Sequence, residues 1–129
     1  LDGLLARESH GDVVRAAALE GLAALGDRRG IEKAAGFLPY RWGKGGTHKL
    51  RRVALDTLIA LSPDDRDVHA RLVTLLSDRY HNMRVWAAEA CGKLKVRAAV
   101  PALEKNAADD WHQGAQNAAK AALELIKKP

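Results

Sequence analysis

The sequence predicts an all-α fold, a right-handed α-solenoid of about four antiparallel helix pairs. The first reason is residues 83–94, whose apolar positions follow the i, i+3, i+4, i+7 spacing of one buried helix face: Met83, Trp86/Ala87, Ala90/Cys91 and Leu94. The second is that this frame recurs, so that its last apolar residues, Leu25, Leu61, Leu94 and Ile126, lie 36, 33 and 32 residues apart. The third is composition, because 47% hydrophobic but only 5% aromatic residues favour closely packed helices with small side chains. A fixed period of this length is typical of helical-repeat proteins.

The frame predicts a buried stripe on three further helices. Its members are Val14, Ala17/Ala18, Gly21/Leu22 and Leu25 in one copy, Leu50, Val53/Ala54, Thr57/Leu58 and Leu61 in another, and Ala115, Ala118/Ala119, Ala122/Leu123 and Ile126 in the last. Each helix pair has too little core of its own, so we expect neighbouring pairs to stabilise one another.

Polar caps and helix-breaking residues predict the individual helices. Eight are expected, at about residues 1–7, 12–25, 27–38, 47–61, 66–76, 83–94, 98–107 and 112–127. The predicted capping residues are Ser9 or Asp12, Asp27, Asp65, and the pair Asp109–Asp110. Gly26 is expected to end its helix in the left-handed conformation, and Pro101 fits only the first turn of a helix. Residues 39–47, which contain three glycines, are expected to form the longest loop.

Composition limits the class of protein. The 129 residues are expected to form one domain, residues 1–129, and a single cysteine excludes a disulfide framework or a cysteine-based zinc site. No apolar run reaches the roughly 18 residues of a membrane span. The lone cysteine is compatible with a reducing compartment, which favours a cytoplasmic location. Because the chain starts at Leu1 and its one methionine is Met83, we expect a C-terminal fragment of a longer protein.

The repeated segments carry a resemblance to a known family. Residues 12–27, Asp-Val-Val-Arg-Ala-Ala-Ala-Leu-Glu-Gly-Leu-Ala-Ala-Leu-Gly-Asp, and residues 83–94, Met-Arg-Val-Trp-Ala-Ala-Glu-Ala-Cys-Gly-Lys-Leu, resemble HEAT repeats of the compact, phycobiliprotein-lyase type. The resemblance covers nearly the whole chain. It implies an α-solenoid, and it says little about function because such solenoids serve as scaffolds in unrelated systems.

A narrower resemblance concerns the first half of the chain. Residues 9–23, Ser-x-x-Asp-Val-Val-Arg-Ala-Ala-Ala-Leu-x-Gly-Leu-Ala, are followed by a short helix, the Pro-Tyr-Arg-Trp-Gly-Lys-Gly loop and an Arg-Arg-x-Ala helix. This order is similar to the C-terminal helical domain of bacterial zinc aminopeptidases of the aminopeptidase N kind. In that family the domain helps to enclose the active-site cavity of the catalytic domain. The catalytic His-Glu-x-x-His signature is absent from this chain, so the resemblance assigns no catalytic, metal or cofactor-binding residue here.

A basic segment is the first candidate site. No acidic residue occurs from Lys33 to Leu55, whereas basic residues are interleaved with Tyr40, Trp42 and His48. Basic groups can neutralise phosphates and aromatic rings can stack on bases, but the same mixture also anchors protein contacts, and it is compatible with a merely solvated loop. The candidate contact residues are Tyr40, Arg41, Trp42, Lys44, Lys49 and Arg52.

Three arginines hold the same position in three copies of the frame. Arg15, Arg51 and Arg84 are predicted to be internal, each bonded to acidic or carbonyl groups of the preceding turn, with Asp12 and Asp78 as partners. Gln116 fills this position in the last copy.

The remaining polar clusters have structural interpretations. Asp64, Asp65 and Asp67 are expected to cap a helix rather than bind a cation. Residues 109–112, Asp-Asp-Trp-His, resemble the acid-plus-tryptophan clefts of HEAT-like DNA glycosylases, but a helix cap with a packed tryptophan explains them better. The histidines lie mostly in turns without metal-ligand spacing, and Cys91 is expected to be an inert buried thiol.

The function predicted from the sequence is a non-catalytic helical-repeat scaffold or interaction domain with a protein partner and no cofactor. The aminopeptidase resemblance implies docking on the catalytic domain of the same polypeptide, where the segment would shape substrate access. The alternative is a nucleic-acid-binding solenoid similar to the HEAT-like DNA glycosylases.

Overall fold

The computed structural model describes the backbone of residues 3–39 and 48–129, and the side chains of residues 11–39 and 48–129. The chain forms two compact units, Leu1–Ser62 and Pro63–Pro129, which are described separately. Over the described residues the structure contains seven α-helices, one short 3₁₀ helix and no strand, so the predicted all-α class is confirmed.

The first unit contains three helices, α1 (Gly3–Ala24), α2 (Arg29–Phe37) and α3 (His48–Leu61), and α3 packs on both of the others. Helix α1 ends as predicted, since Gly26 has a φ of +66° and its N–H donates to the Ala23 carbonyl. The Asp27 N–H closes the same turn by donating to the Leu22 carbonyl at 2.8 Å. The Asp27 carboxylate accepts from the backbone N–H of Arg29 at 3.0 Å, so the predicted bond to the start of α2 is present. The N-cap position itself is Arg28, one residue after the predicted cap.

The second unit contains α4 (Arg66–Leu75), α5 (His81–Lys93), a 3₁₀ turn (Arg97–Ala99), α6 (Val100–Asp109) and α7 (Gln113–Lys127). Helix α5 is central, because it packs on α4 and most extensively on α7, which also packs on α6. The Asp65 carboxylate caps α4 by accepting from the backbone N–H of Asp67 at 2.7 Å, and Pro101 lies in the first turn of α6. Both of these features were predicted from the sequence.

Eight helices were predicted, and the first two of them form one helix in the described part of the chain. Helix α1 runs unbroken through residues 9–12, where a turn was predicted. Asp12 lies inside this helix, where the backbone N–H groups have intrahelical partners, and its carboxylate accepts from Arg15 at 3.0 Å. The described residues therefore form seven α-helices, and the first predicted pair is one continuous helix.

The repeated frame predicts burial correctly in three helices. We call the side of each helix that carries the frame positions its upstream face. The buried residues of this face include Leu50, Ala54 and Thr57 in α3, Met83, Ala87 and Ala90 in α5, and Ala115, Ala119 and Ala122 in α7.

In α1 the prediction is wrong. Val14 and Leu25, at the two ends of its upstream face, are 54% and 82% exposed, whereas Ala16 and Leu19 are buried. The physical reason is that this alanine-rich helix carries two apolar stripes of the same period, and burial falls on the stripe that contains Leu19.

Helices α5 and α7 approach each other most closely at a glycine. A Cβ atom built on Gly92 would lie 2.8 Å from the Ala122 Cα and 3.2 Å from the Leu125 Cδ1. Any side chain at this position would force the helices apart, so Gly92 sets their separation. Ala88, which precedes it by one helical turn, is also buried, and we call the side of α5 that carries these two residues its downstream face.

Among the described residues, none of the helices combines the length and the apolar character needed to cross a lipid bilayer.

We expect Gly92→Ala to lower the free energy of unfolding by about 1–3 kcal/mol, because overpacking at the α5–α7 crossing exceeds the gain in helix propensity. Gly21→Ala is the matched control, since Gly21 lies inside α1 with no atom within 4 Å of an added Cβ. This control is expected to raise stability by about 0.5–1 kcal/mol. Urea unfolding of both variants tests the prediction. Equal changes in the free energy of unfolding in the two variants would contradict it.

Candidate functional site

The predicted contact residues fall largely outside the described part of the chain. Tyr40, Arg41, Trp42 and Lys44 all lie in residues 40–47, which the structure does not describe. Lys49 is exposed in the first turn of α3. Arg52, three residues further along α3, donates to the Asp56 carboxylate at 3.3 Å in a pair exposed to solvent. The two described members of this set, Lys49 and Arg52, are therefore neighbours on one helix.

Arg51 does not belong to a basic surface. Its side chain is among the most buried in the protein, and its Nε donates to the Leu38 carbonyl at 2.8 Å. This confirms the prediction that the repeated arginine lies inside and binds a carbonyl group near the preceding turn. The prediction of an internal side chain is wrong for Arg15, which is 52% exposed, although its Nη1 donates to the Asp12 carboxylate at 3.0 Å as predicted.

Arg84 forms a buried ion pair in the second unit. Its Nε and Nη2 donate to the two carboxylate oxygens of Asp110 at 2.7 and 2.9 Å, in the planar two-bond geometry that arginine and carboxylate favour. Both side chains are buried, at 9% and 3% exposure. The remaining Nη1 donates to the backbone carbonyls of Asp78 and Arg79 in the turn before α5. Arg84 thus ties the turn before α5 to the turn before α7.

The predicted partner of Arg84 was only partly correct. Asp78 contributes its backbone carbonyl, as the prediction allowed, but the carboxylate comes from Asp110, 26 residues further along the chain. The sequence contained a usable signal, because a period of 32–36 residues brings the turns that precede successive frame helices next to each other.

Asp110 was also predicted to cap α7 together with Asp109, and this prediction needs correction. The N-cap of α7 is His112, whose Nδ1 accepts from the Ala115 N–H at 3.2 Å. Asp110 supports the turn by accepting from the His112 N–H at 2.9 Å. Burial alone would raise the pKa of Asp110, but the hydrogen bonds from Arg84 and from the His112 N–H outweigh it and lower the pKa below the ordinary value of 3.8.

Trp111 was expected to pack against the fold, and it does not. It is 76% exposed, the most exposed aromatic side chain among those the structure describes. The reason is that the flanking bonds of Asp110 and His112 fix the turn with the intervening side chain directed to solvent. Its indole is nevertheless supported, with the Arg84 guanidinium carbon 5.5 Å from the ring centroid and the His81 and His112 rings edge-on at 5.8 and 5.5 Å.

The aromatic contacts continue around Trp111. His81 and His112 stack with their ring centroids 4.1 Å apart, and Tyr80 contacts His81 at 5.1 Å and Trp86 at 5.9 Å. The Tyr80 hydroxyl accepts from the Asn82 side-chain amide at 2.8 Å. We call Tyr80, His81, Trp86, Trp111 and His112 the aromatic cluster. The sequence singled out Trp86 as a frame position and Trp111 and His112 in the segment 109–112, but it did not predict that these side chains meet, because they are distant along the chain.

An open recess of about 300 Å³ lies beside the exposed indole. Arg84 and Asp110 line its inner part, and the Asn106 side-chain amide fixes one wall by donating to the Leu76 carbonyl at 2.8 Å. Exposed Lys105 and Asp109 lie at its border with Trp111. The volume is at the lower limit of ligand pockets, and it matches one or two protruding side chains of a partner.

The structure gives no metal or nucleophile chemistry to this site. Within the described ranges, no group of three or more His, Cys, Asp or Glu side chains is placed to hold a metal ion. Cys91 is fully buried, and burial raises the pKa of its thiol to about 12, which confirms the predicted inert thiol. Asp110 cannot act as a free carboxylate, because Arg84 engages both of its oxygens.

Removing either partner of the buried pair should be strongly destabilising. We expect Asp110→Asn and Arg84→Met each to lower the free energy of unfolding by about 3 kcal/mol, because each leaves a buried polar group without its partner. The double variant is expected to lose at least about 1 kcal/mol less than the sum of the single losses. Urea unfolding of the four proteins measures this coupling. Additive losses would mean that the two side chains act independently.

The same pair should make stability depend on pH. Because the pKa of Asp110 is lowered in the folded chain, its contribution is fully present above the ordinary value of 3.8 and is lost as the pH falls through the lowered value. We expect acid to destabilise wild type more steeply than Asp110→Asn between about pH 5 and pH 2. Asp109→Asn, at a neighbouring exposed position, should keep the wild-type slope. If the free energy of unfolding changed equally with pH in all three proteins, Asp110 would not be the cause of the acid sensitivity.

Comparison with known families agrees with this architecture. A family model described as HEAT repeats matches residues 45–124, and a PBS lyase HEAT-like repeat model matches residues 14–33. Searches of curated proteins and of solved structures gave no match. The predicted HEAT resemblance is confirmed, while the aminopeptidase resemblance stays a prediction. Because the first match covers more than half of the chain, this protein belongs to the HEAT-repeat family, whose helical repeats form scaffold and interaction domains.

Proposed function

We propose that this chain is a protein-interaction module that contacts its partner through Trp111 and the recess beside it. The observation that carries the proposal is that a large indole is 76% exposed while its position is fixed by Arg84, His81 and His112. An exposed tryptophan without support would lose conformational freedom when it binds. This one is already held, so that loss is small.

The energy available from this contact is large enough to matter. A tryptophan buries about 200 Å² in an interface, which at about 25 cal/mol per Å² corresponds to about 3–4 kcal/mol for the part now exposed. Tryptophan and arginine are also the residue types most often found at the energetic centre of protein interfaces. The adjacent recess offers both Lys105 and Asp109, so it can pair with a partner side chain of either charge.

A narrower form of the proposal is docking on the catalytic domain of a zinc aminopeptidase in the same polypeptide. Its support is the sequence resemblance of residues 9–54, and its proposed contacts remain the six residues Tyr40, Arg41, Trp42, Lys44, Lys49 and Arg52. The reading frame that encodes the full polypeptide tests this form directly, because a zinc aminopeptidase must contain a His-Glu-x-x-His sequence. A frame without that sequence would reject the narrower form and leave the interaction module intact.

Nucleic-acid binding is the alternative function, and two observations weigh against it. Arg51 is buried and bonded to a carbonyl, and Arg52 pairs with Asp56, so neither presents an unengaged guanidinium to a phosphate. In residues 109–112, which carry the glycosylase resemblance, the Asp110 carboxylate is already held by Arg84 through both of its oxygens.

The interaction proposal predicts that Trp111→Ala weakens binding without preventing folding. Peptides selected from a displayed random library on the immobilised chain should bind Trp111→Ala at least about 10-fold more weakly than wild type, a loss of about 1.4 kcal/mol. Val13→Ala, which truncates another exposed apolar residue, is the control and should bind as wild type does. Peptides that bind all three proteins equally would contradict the proposal.

The same proteins distinguish the alternative. Labelled duplex and single-stranded DNA, titrated at two salt concentrations, should not bind wild type at low salt. Tight, salt-sensitive binding that is lost in Lys49→Ala/Arg52→Ala would instead establish the nucleic-acid function.

A further inference from the structure

The upstream face of α1 is apolar and exposed, and its residues occupy the same frame positions as the buried residues of the later frame helices. Its members are Val14, Ala18, Gly21 and Leu25, all of which are exposed. Among the described residues, an added Cβ on Gly21 meets no neighbouring atom within 4 Å, so none of them covers the centre of this face.

The equivalent face of α7 shows what such a surface receives. Counted from the shared arginine or glutamine position, Val14, Ala18, Gly21 and Leu25 of α1 correspond to Ala115, Ala119, Ala122 and Ile126 of α7, which are all buried. At Ala122 the occupant is identified by contact, because Gly92 on the downstream face of α5 lies against it. The upstream face of α7 therefore receives the preceding frame helix. The residues at the centre of this face are small, which permits the close approach. They are Ala119 and Ala122 in α7, and the equivalent residues of α1 are Ala18 and Gly21.

The last repeat has a different kind of end surface. The downstream positions of α7, equivalent to Val85, Ala88 and Gly92 of α5, are Asn117, Lys120 and Glu124, and all three are exposed. A polar outer face is the property of a helix that ends a repeat array. Helix α1 lacks it, since its outer face has the composition of an internal repeat.

We propose that the upstream face of α1 is the docking surface for one further HEAT-type helix, supplied by a repeat that precedes α1 in the same polypeptide and presents small apolar residues as α5 does. The proposal follows from continuity with the α5–α7 interface. It concerns the unit of residues 1–62 and does not depend on the role proposed for Trp111, so either can fail without the other.

The test supplies the missing helix from the chain itself. Residues 63–112, which contain α4, α5 and α6, are joined directly to Asp12, because the register that matches Gln116 to Arg15 also matches Gln113 to Asp12. The copied α5 then precedes α1 as the native α5 precedes α7. Circular dichroism shows whether the added segment is helical, and thermal unfolding measures stability.

The informative substitution is Ala18→Lys, at the centre of the face. In the natural chain, where Ala18 is exposed, it should change the unfolding midpoint by no more than about 2 °C, but in the extended chain it should lower the midpoint by about 5 °C or more. Ala24→Lys is the matched control and should have little effect in either chain. Lys93 occupies the equivalent position in α5 and is exposed there.

Three results would overturn the proposal. The first is an extension that forms no additional helix, and the second is an Ala18→Lys substitution that is equally harmless in both chains. The third is a concentration-dependent dimer of the natural chain, seen by sedimentation and abolished by Ala18→Lys, which would identify the occupant as a second copy.

Discussion

Close approach between successive helices is the constraint on which this structure depends. Gly92 allows α5 and α7 to pack with backbone against backbone at Ala122, and no larger residue fits between them. A core assembled from such contacts gains its stability from many small surfaces, which explains why alanine and leucine dominate a sequence with so few aromatic residues. The aromatic side chains are consequently not required for filling the core, and several of them gather at the turns of the second unit instead.

Polar bonds, and not the packing of small residues, stabilise the turns before α5 and α7. Arg84 spans two turns by binding the Asp78 carbonyl and the Asp110 carboxylate, and Asp110 in turn fixes the residues that flank Trp111. A buried ion pair adds little net stability because both groups lose their hydration, but it accepts only one geometry. The placement of the exposed indole thus follows from an interaction inside the protein, so the proposed contact surface and the fold share the same residues.

The repeated frame in the sequence was sufficient to predict the all-α class and the burial of α3, α5 and α7, and the local capping residues were sufficient to predict the helix ends at Gly26 and Asp65. It could not decide between the two apolar stripes of α1, because alanine-rich stripes differ little in hydrophobicity and only the presence of a neighbouring helix selects one. It could not place Trp111 either, since the side chain's direction depends on the pairing of Asp110 with an arginine 26 residues away. Local patterns describe single helices well, whereas these two features depend on contacts between distant segments.

The buried thiol of Cys91 gives this protein an internal reporter of its own opening. It is the chain's one cysteine, it is inaccessible, and its pKa of about 12 leaves almost no thiolate at neutral pH. A thiol reagent can therefore modify the folded protein only when α5 separates from its neighbours, and the modification rate then measures how often that separation occurs. Helix α5 lies at the centre of the second unit, so the modification rate of this one natural thiol reports the opening of that unit without an engineered probe.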